Sequence, residues 1–188
     1  VSRLVFLLEE DSMKSLLDGL LPRLFPRLSF QCIPHEGKKD LEKSIPRKLR
    51  AWREPGVRFC VVRDNDGADC QAIKHHLVEL CRQGNRPDSV VRIACQELEA
   101  WYFGEPAAIA RAYRRDDLLA IERQAKYREP DSMATPSSTL AQLVPEFQKV
   151  SGAHRMGQHL GRVNRSPSFR ALIAAIDRFA AELTNSEG

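Results

Sequence analysis

Between Val57 and Val62 the chain runs almost wholly apolar, then breaks off in acid through Arg63-Asp-Asn-Asp-Gly-Ala-Asp69. Such a run fits a strand buried on both faces in a parallel sheet, which needs no polar alternation. Asp64, Asp66 and Asp69 crowd the place where that strand ends. Carboxylates this close repel one another unless something positive sits between them, and hard divalent cations take carboxylate oxygens in this way. A solvated loop whose Asp caps the following helix is the other reading of the same stretch.

The flanking sequence extends the pattern. Arg3 to Leu8 reads as a first strand, stopping at Glu9-Glu10-Asp11. Met13, Leu16, Leu17, Leu20 and Leu21 then recur at helical spacing behind Ser12, and Pro22 and Pro26 are expected to end that helix. Leu28 to Ile33 reads as a second strand, followed by a loop and a helix from about Asp40 to Trp52 that Pro46 interrupts. Cys70 to Gln83 predicts a helix and Ser89 to Cys95 a fourth strand. Gln96 to Phe103 opens a further short helix. Strand alternating with helix is the signature of a parallel sheet with crossover helices.

Beyond Gly104 no strand candidate remains. Pro106–Tyr113, Asp117–Gln124, Ser138–Val150 and Ser168–Leu183 read as helices, and Lys126–Ser138 as a long loop. The expectation is an α/β core over residues 1–104, with a four-stranded, mainly parallel sheet of Rossmann-like layering. A helical C-terminal extension, residues 105–188, packs on it. Charged residues at 29% and hydrophobic residues at 43% describe an ordinary soluble globule. No apolar run approaches the roughly 18–20 residues that a membrane span needs, and no leader is visible before the first strand. Five cysteines without a CxxC pair argue against a disulfide frame or a zinc site, so a reducing cytoplasm is expected.

Ligands of open parallel sheets collect at the carboxyl ends of the strands. Acids stand at three such ends: Glu9 and Glu10, then Asp64, Asp66 and Asp69, then Glu97 and Glu99. Their convergence points to a divalent metal, Mg²⁺ or alternatively Mn²⁺, and to phosphoryl transfer or phosphodiester cleavage. Glu9, Asp64 and Asp66 are the expected catalytic metal ligands, with Asp69 and Glu97 in support. If helical, Glu97 and Glu99 lie about 200° apart and cannot both face the site; Glu97, nearer the strand end, is preferred. Glu99, Glu10 and His35 are further candidates.

Glu9 after the first strand and Asp64-Asn65-Asp66 after the third resemble the Toprim pattern of topoisomerases, primases and overcoming-lysogenization-defect nucleases. That pattern places a glutamate at the end of the first strand and a DxD at a later one, both implicated in holding Mg²⁺. More closely, the chain resembles the bacterial DUF4276 family, which is considered Toprim-like. The resemblance lies in Leu7-Leu8-Glu9-Glu10-Asp11-Ser12, Pro34-His35-Glu36-Gly37-Lys38, Arg63-Asp64-Asn65-Asp66, Gln96-Glu97-Leu98-Glu99-Ala100-Trp101 and Asn164-Arg165-Ser166-Pro167-Ser168-Phe169. It implies a Mg²⁺-dependent nuclease and, by analogy with Toprim nucleases paired with ATPases, a companion ATPase. One position departs: the common Toprim form follows its glutamate with glycine, and here Glu10 stands where a phosphate would approach the backbone.

Charge is distributed unevenly. No acid occurs from Phe147 to Ile176, a stretch that holds Lys149, Arg155, Arg162, Arg165 and Arg170, with Gly152, Gly157 and Gly161 loosening the backbone. Lys38 to Arg58 carries eight Lys or Arg against three acids. Basic segments flanking an acidic metal cleft suit a polyanion, so Lys38, Lys149, Arg155, Arg162 and Arg165 are the expected nucleic-acid contacts. Two rivals stand beside the nuclease. One is a non-catalytic module using its acids to hold a structural ion. The other is a receiver-like signalling domain, which should also show Ser or Thr after the fourth strand and Lys after a fifth.

Overall fold

Four hydrophobic runs form one sheet because each is short, apolar and followed by a helix that can cover it. The computed structural model describes residues 2–186. The strands are β1 (Arg3–Leu8), β2 (Phe30–Pro34), β3 (Val57–Asp64) and β4 (Val90–Ala94), in spatial order β2-β1-β3-β4 and all parallel. β1 and β3 are central, which matches their near-continuous apolar runs. Leu8 pairs with Val62 and with Pro34, and Asp64 with Ala94, so all four strands finish along one edge.

Strand alternation divides the interior into two layers. Val5, Leu7, Phe59 and Val61 face one way, onto α2 (Lys38–Ala51) and α3 (Cys70–Gln83). Leu4, Phe6, Leu8, Cys60 and Val62 face the other, into a larger core shared with α1 (Asp11–Leu24) and helices from the C-terminal half. Those helices are α4 (Ala100–Phe103), α5 (Pro106–Tyr113), α6 (Pro136–Leu143), α7 (Lys149–His159) and α8 (Pro167–Ser186). The segment expected as a helix over Asp117–Gln124 is a 3-10 helix, Asp116–Arg123, and two further 3-10 turns lie in the expected loop. No described helix is long and apolar enough to cross a membrane.

Three further features differ from expectation. Pro22 lies inside α1, and Pro46 inside α2. Pro22 falls in the last turn on an exposed face, where the missing N–H leaves a carbonyl that water can reach. The helix expected over Ser138–Val150 is two helices. Pro145 disfavours helical geometry at the residue before it, and Val144 accordingly stands at φ −130°, ψ 86°.

The third difference concerns the basic, glycine-bearing stretch. Residues 149–159 form α7, which packs on α1, and its glycines are the reason the two can meet. A Cβ on Gly157 would stand 2.7 Å from the Leu16 carbonyl oxygen and 3.2 Å from Gly19 Cα. The absent side chains permit close approach rather than loosening the chain. Arg23 completes the crossing, donating to the Gly157 carbonyl from Nε (3.0 Å) and Nη2 (2.8 Å) and to the Leu160 carbonyl (2.6 Å). These carbonyls at the end of α7 lack helical partners, and a guanidinium there also complements the helix dipole.

Candidate functional site

The shared strand edge brings Glu9 and Asp64 together. The Glu9 amide donates to the Val62 carbonyl at 3.2 Å, and the Asp64 amide donates to Glu9 Oε2 at 2.9 Å. Asp64 continues the alternation of Cys60 and Val62 toward the α1 layer, whereas Arg63 falls on the α2 side. There Arg63, itself buried, pairs with Glu42 at 2.6 Å and lies 3.9 Å from Glu9 Oε2. Asp66 is exposed, adopts a left-handed φ of 48°, and has Lys38 Nζ 3.7 Å from its carboxylate. Its amide donates to the Gln96 carbonyl at 3.0 Å, and Gln96 is itself left-handed at φ 65°. Asn65, buried between them, accepts from the Gln96 amide and donates to the Ala68 carbonyl at 2.7 Å. The loops after β3 and β4 are thus tied to one another.

The electrostatics of this edge are strained. Asp64 is 5% exposed, and its Oδ1 has no hydrogen-bond partner. Burial pushes its carboxyl well above the usual range, and Glu9, Glu99, Glu10 and Asp66 push in the same direction. Burial also raises Glu9, against the lowering effects of the Asp64 amide and then Arg63. Glu99 is 1% exposed with both carboxylate oxygens unpartnered, and burial pushes it up to about 7 even though Lys149 acts the other way. The hydroxyls of Tyr102 and Tyr113 are buried and unpartnered as well. Burial raises both tyrosines; for Tyr102 the charge of Glu99 comes next.

Lys149 answers part of this charge. Its Nζ lies 3.9 Å from Glu10 Oε1. Partial burial would lower its pKa, but Glu99, Glu10, Asp64 and Glu97 together outweigh that and raise it. Glu10 also accepts from the Ser12 hydroxyl.

Other expected site residues are engaged elsewhere. Asp69 caps α3, its Oδ1 accepting from the Gln71 and Ala72 amides at 2.8 and 3.3 Å. Glu97 accepts from the Ser137 amide at 2.8 Å and its hydroxyl at 2.9 Å, holding the first turn of α6. It is Glu99, ranked behind Glu97 in the sequence, whose carboxylate lies buried among the acids. His35 is 8% exposed, and its Nδ1 is 2.8 Å from the Leu8 carbonyl. A carbonyl only accepts, so Nδ1 carries the proton and a neutral ring leaves Nε2 with a free lone pair; that atom is buried and unpartnered.

The expected basic contacts divide in the same way. Lys38 and Lys149 stand at the rim of the acidic edge. Arg155 is exposed and lies over the Tyr113 ring, 5.4 Å from its centroid. Arg162 pairs with Asp177 at 3.0 Å, donates to the Leu24 carbonyl at 3.2 Å and covers the Phe25 ring. It therefore clamps α8 to the end of α1. Arg165 Nη1 reaches the Glu122 carbonyl at 3.5 Å, and its Nη2 is buried without a partner. Asn164, Ser166 and Ser168 start α8: Ser166 Oγ accepts from the Phe169 amide at 3.1 Å, and Asp131 accepts from the Ser168 amide at 2.7 Å.

Sequence reasoning passed over Arg63, Tyr102 and Tyr113. A charged residue closing a buried strand was the available signal for Arg63. The tyrosines sit in apolar surroundings that read as core.

Among the described residues, no group of three or more His, Cys, Asp or Glu stands ready-formed to hold a metal ion. The donor set nevertheless suits one. Buried carboxylate oxygens without partners are costly, and all-oxygen donors match Mg²⁺ and Mn²⁺. Neither a curated protein nor a solved structure matches the chain. The family described as a domain of unknown function (DUF4276) matches residues 8–177, nearly the full length, and the chain belongs to that family.

Proposed function

We propose that the acidic edge binds Mg²⁺ or Mn²⁺ and hydrolyses nucleic-acid phosphodiesters, in the manner of a Toprim nuclease. The supporting observation is the buried, unpartnered Oδ1 of Asp64, whose amide donates to Glu9, together with the two unpartnered oxygens of buried Glu99. Asp64, Glu9 and Glu99 would hold the ion, with Asp66 and Glu10 at the rim. A bound divalent ion neutralises charge developing on a phosphate and lowers the pKa of a coordinated water.

The remaining roles belong to the chain's own groups. Arg63 lies 3.9 Å from Glu9 and holds Glu42 beneath it, which limits the orientations open to Glu9. His35 brings an unpartnered Nε2 to the end of the neighbouring strand, where it would serve in proton transfer. Lys38 and Lys149 present ammonium groups as point charges for phosphates. A companion ATPase is proposed by analogy with paired Toprim nucleases alone.

A non-catalytic ion- or nucleic-acid-binding module is the second reading. Glu10 favours it, because its carboxylate, bonded to Ser12 and facing Lys149, stands where the Toprim pattern has glycine. The two readings part on turnover. Single- and double-stranded DNA and RNA are incubated with the protein and Mg²⁺, Mn²⁺ or EDTA, alongside Asp64→Asn. Metal-dependent cleavage lost in the variant supports the nuclease. Metal stabilisation without cleavage leaves the binding module.

A further inference from the structure

We propose that Lys149 is a resident counter-ion of the acidic edge, which a divalent cation must displace to bind. The inference rests on the metal reading above and adds a gate to it. Lys149 opens α7, whose backbone is pinned to α1 by the Gly157–Gly19 approach and by Arg23. The side chain is held far less firmly. It is 48% exposed, and its ammonium is 3.9 Å from Glu10 Oε1, beyond hydrogen-bond range. A four-carbon stem on a fixed helix end lets the ammonium leave while the helix stays in place.

The ammonium also does only part of what the edge requires. Besides Glu10 after β1, 3.9 Å away, the charges of Asp64 at the end of β3 and of Glu97 and Glu99 before α4 act on it. Against these it brings one charge and no coordination, and both Glu99 oxygens and Asp64 Oδ1 remain unpartnered. A divalent ion brings two charges and takes carboxylate oxygens directly. Two cations in one cleft repel, so binding of either disfavours the other. The released ammonium would then stand at the rim, facing solvent and any bound phosphate.

The test is a metal titration of the full chain. Mg²⁺ and Mn²⁺ are titrated into wild type, Lys149→Met and Lys149→Arg and followed by melting temperature and by calorimetry. Circular dichroism confirms that the variants fold. Lys149→Met keeps the apolar stem and removes the charge, so its half-saturating metal concentration should fall about fivefold to tenfold. Lys149→Arg should stay near wild type. In parallel, lysine acylation mapped by peptide mass should proceed faster at Lys149 with Mg²⁺ than with EDTA. Metal binding by Lys149→Met where wild type shows none also supports displacement. If wild type binds metal and Lys149→Met binds it no more tightly, or acylation at Lys149 is unchanged, the counter-ion role is overturned and the metal site stands. If no form binds metal, both readings fall.

Discussion

With EDTA present, replacing Asp64 by Asn removes a charge that burial opposes first and Glu9, Glu99, Glu10 and Asp66 oppose further, and does so without changing shape. Asp64→Asn should therefore melt at the wild-type temperature or higher, a gain of about 0–2 kcal/mol. At millimolar Mg²⁺ that difference should shrink or reverse, because wild type gains about 1–2 kcal/mol by linkage and the variant much less. Equal metal response in both proteins would remove Asp64 from the site. Glu99 supplies a pH test. Its folded pKa is raised from 4.5 to about 7, so the folded state holds the proton more tightly than the unfolded one. Stability contributed by that proton is present below about 4.5 and is lost as pH rises toward 7, a fall of no more than about 3 kcal/mol. Glu99→Gln should flatten that fall and stand about 1–2 kcal/mol above wild type at pH 8, the buried amide taking back the rest; parallel melting curves from pH 5 to 8 would contradict it. Glu9 and Asp64 were legible because strand ends can be read from apolar runs. That Glu99 is the buried, unpartnered acid of the pair was not, because Glu97 is engaged by Ser137, forty positions away.

At the scale of elements, the strands and α3 were readable because their patterns are local. A parallel strand needs only its own apolar run, and α3 has Asp69 as cap and Gly84 just past its end. α7 was missed for the opposite reason. Its glycines lower helix propensity, and what holds it is α1, some 134 positions earlier in sequence. Gly157→Ala improves local propensity and should nevertheless destabilise the protein by about 1–3 kcal/mol, because the new methyl meets the Leu16 carbonyl. Chemical denaturation measures this, and a stabilised variant would mean that the crossing is looser than described.

Across the whole molecule, the basic residues serve two different ends. Lys38 and Lys149 flank the acidic edge, whereas Arg162 joins α8 to the end of α1. A nucleic-acid binding assay over a range of salt should separate them. Lys38→Ala and Lys149→Ala should each reduce the salt slope by about 1. Arg162→Ala should leave the slope alone and cost about 0.5–1 kcal/mol of stability, a modest figure because the pair is half exposed. The reverse pattern would move the polyanion surface to the tail. The division of the basic residues was legible only as composition, since Arg162 reads as free charge until Asp177 and Leu24 are seen against it.

The meeting of α1 with α7 also sets an order of events during synthesis. α1 leaves the ribosome well before its partner, which is made more than a hundred residues later. Until then Leu16, Leu20 and their neighbours lack the surface that α7 supplies. The nascent chain therefore carries an uncovered apolar stripe throughout that interval, a natural target for chaperones. A chain stopped at Gln148 should keep that stripe indefinitely, binding a hydrophobic dye and aggregating, with solubility restored when a peptide spanning residues 149–186 is supplied in trans.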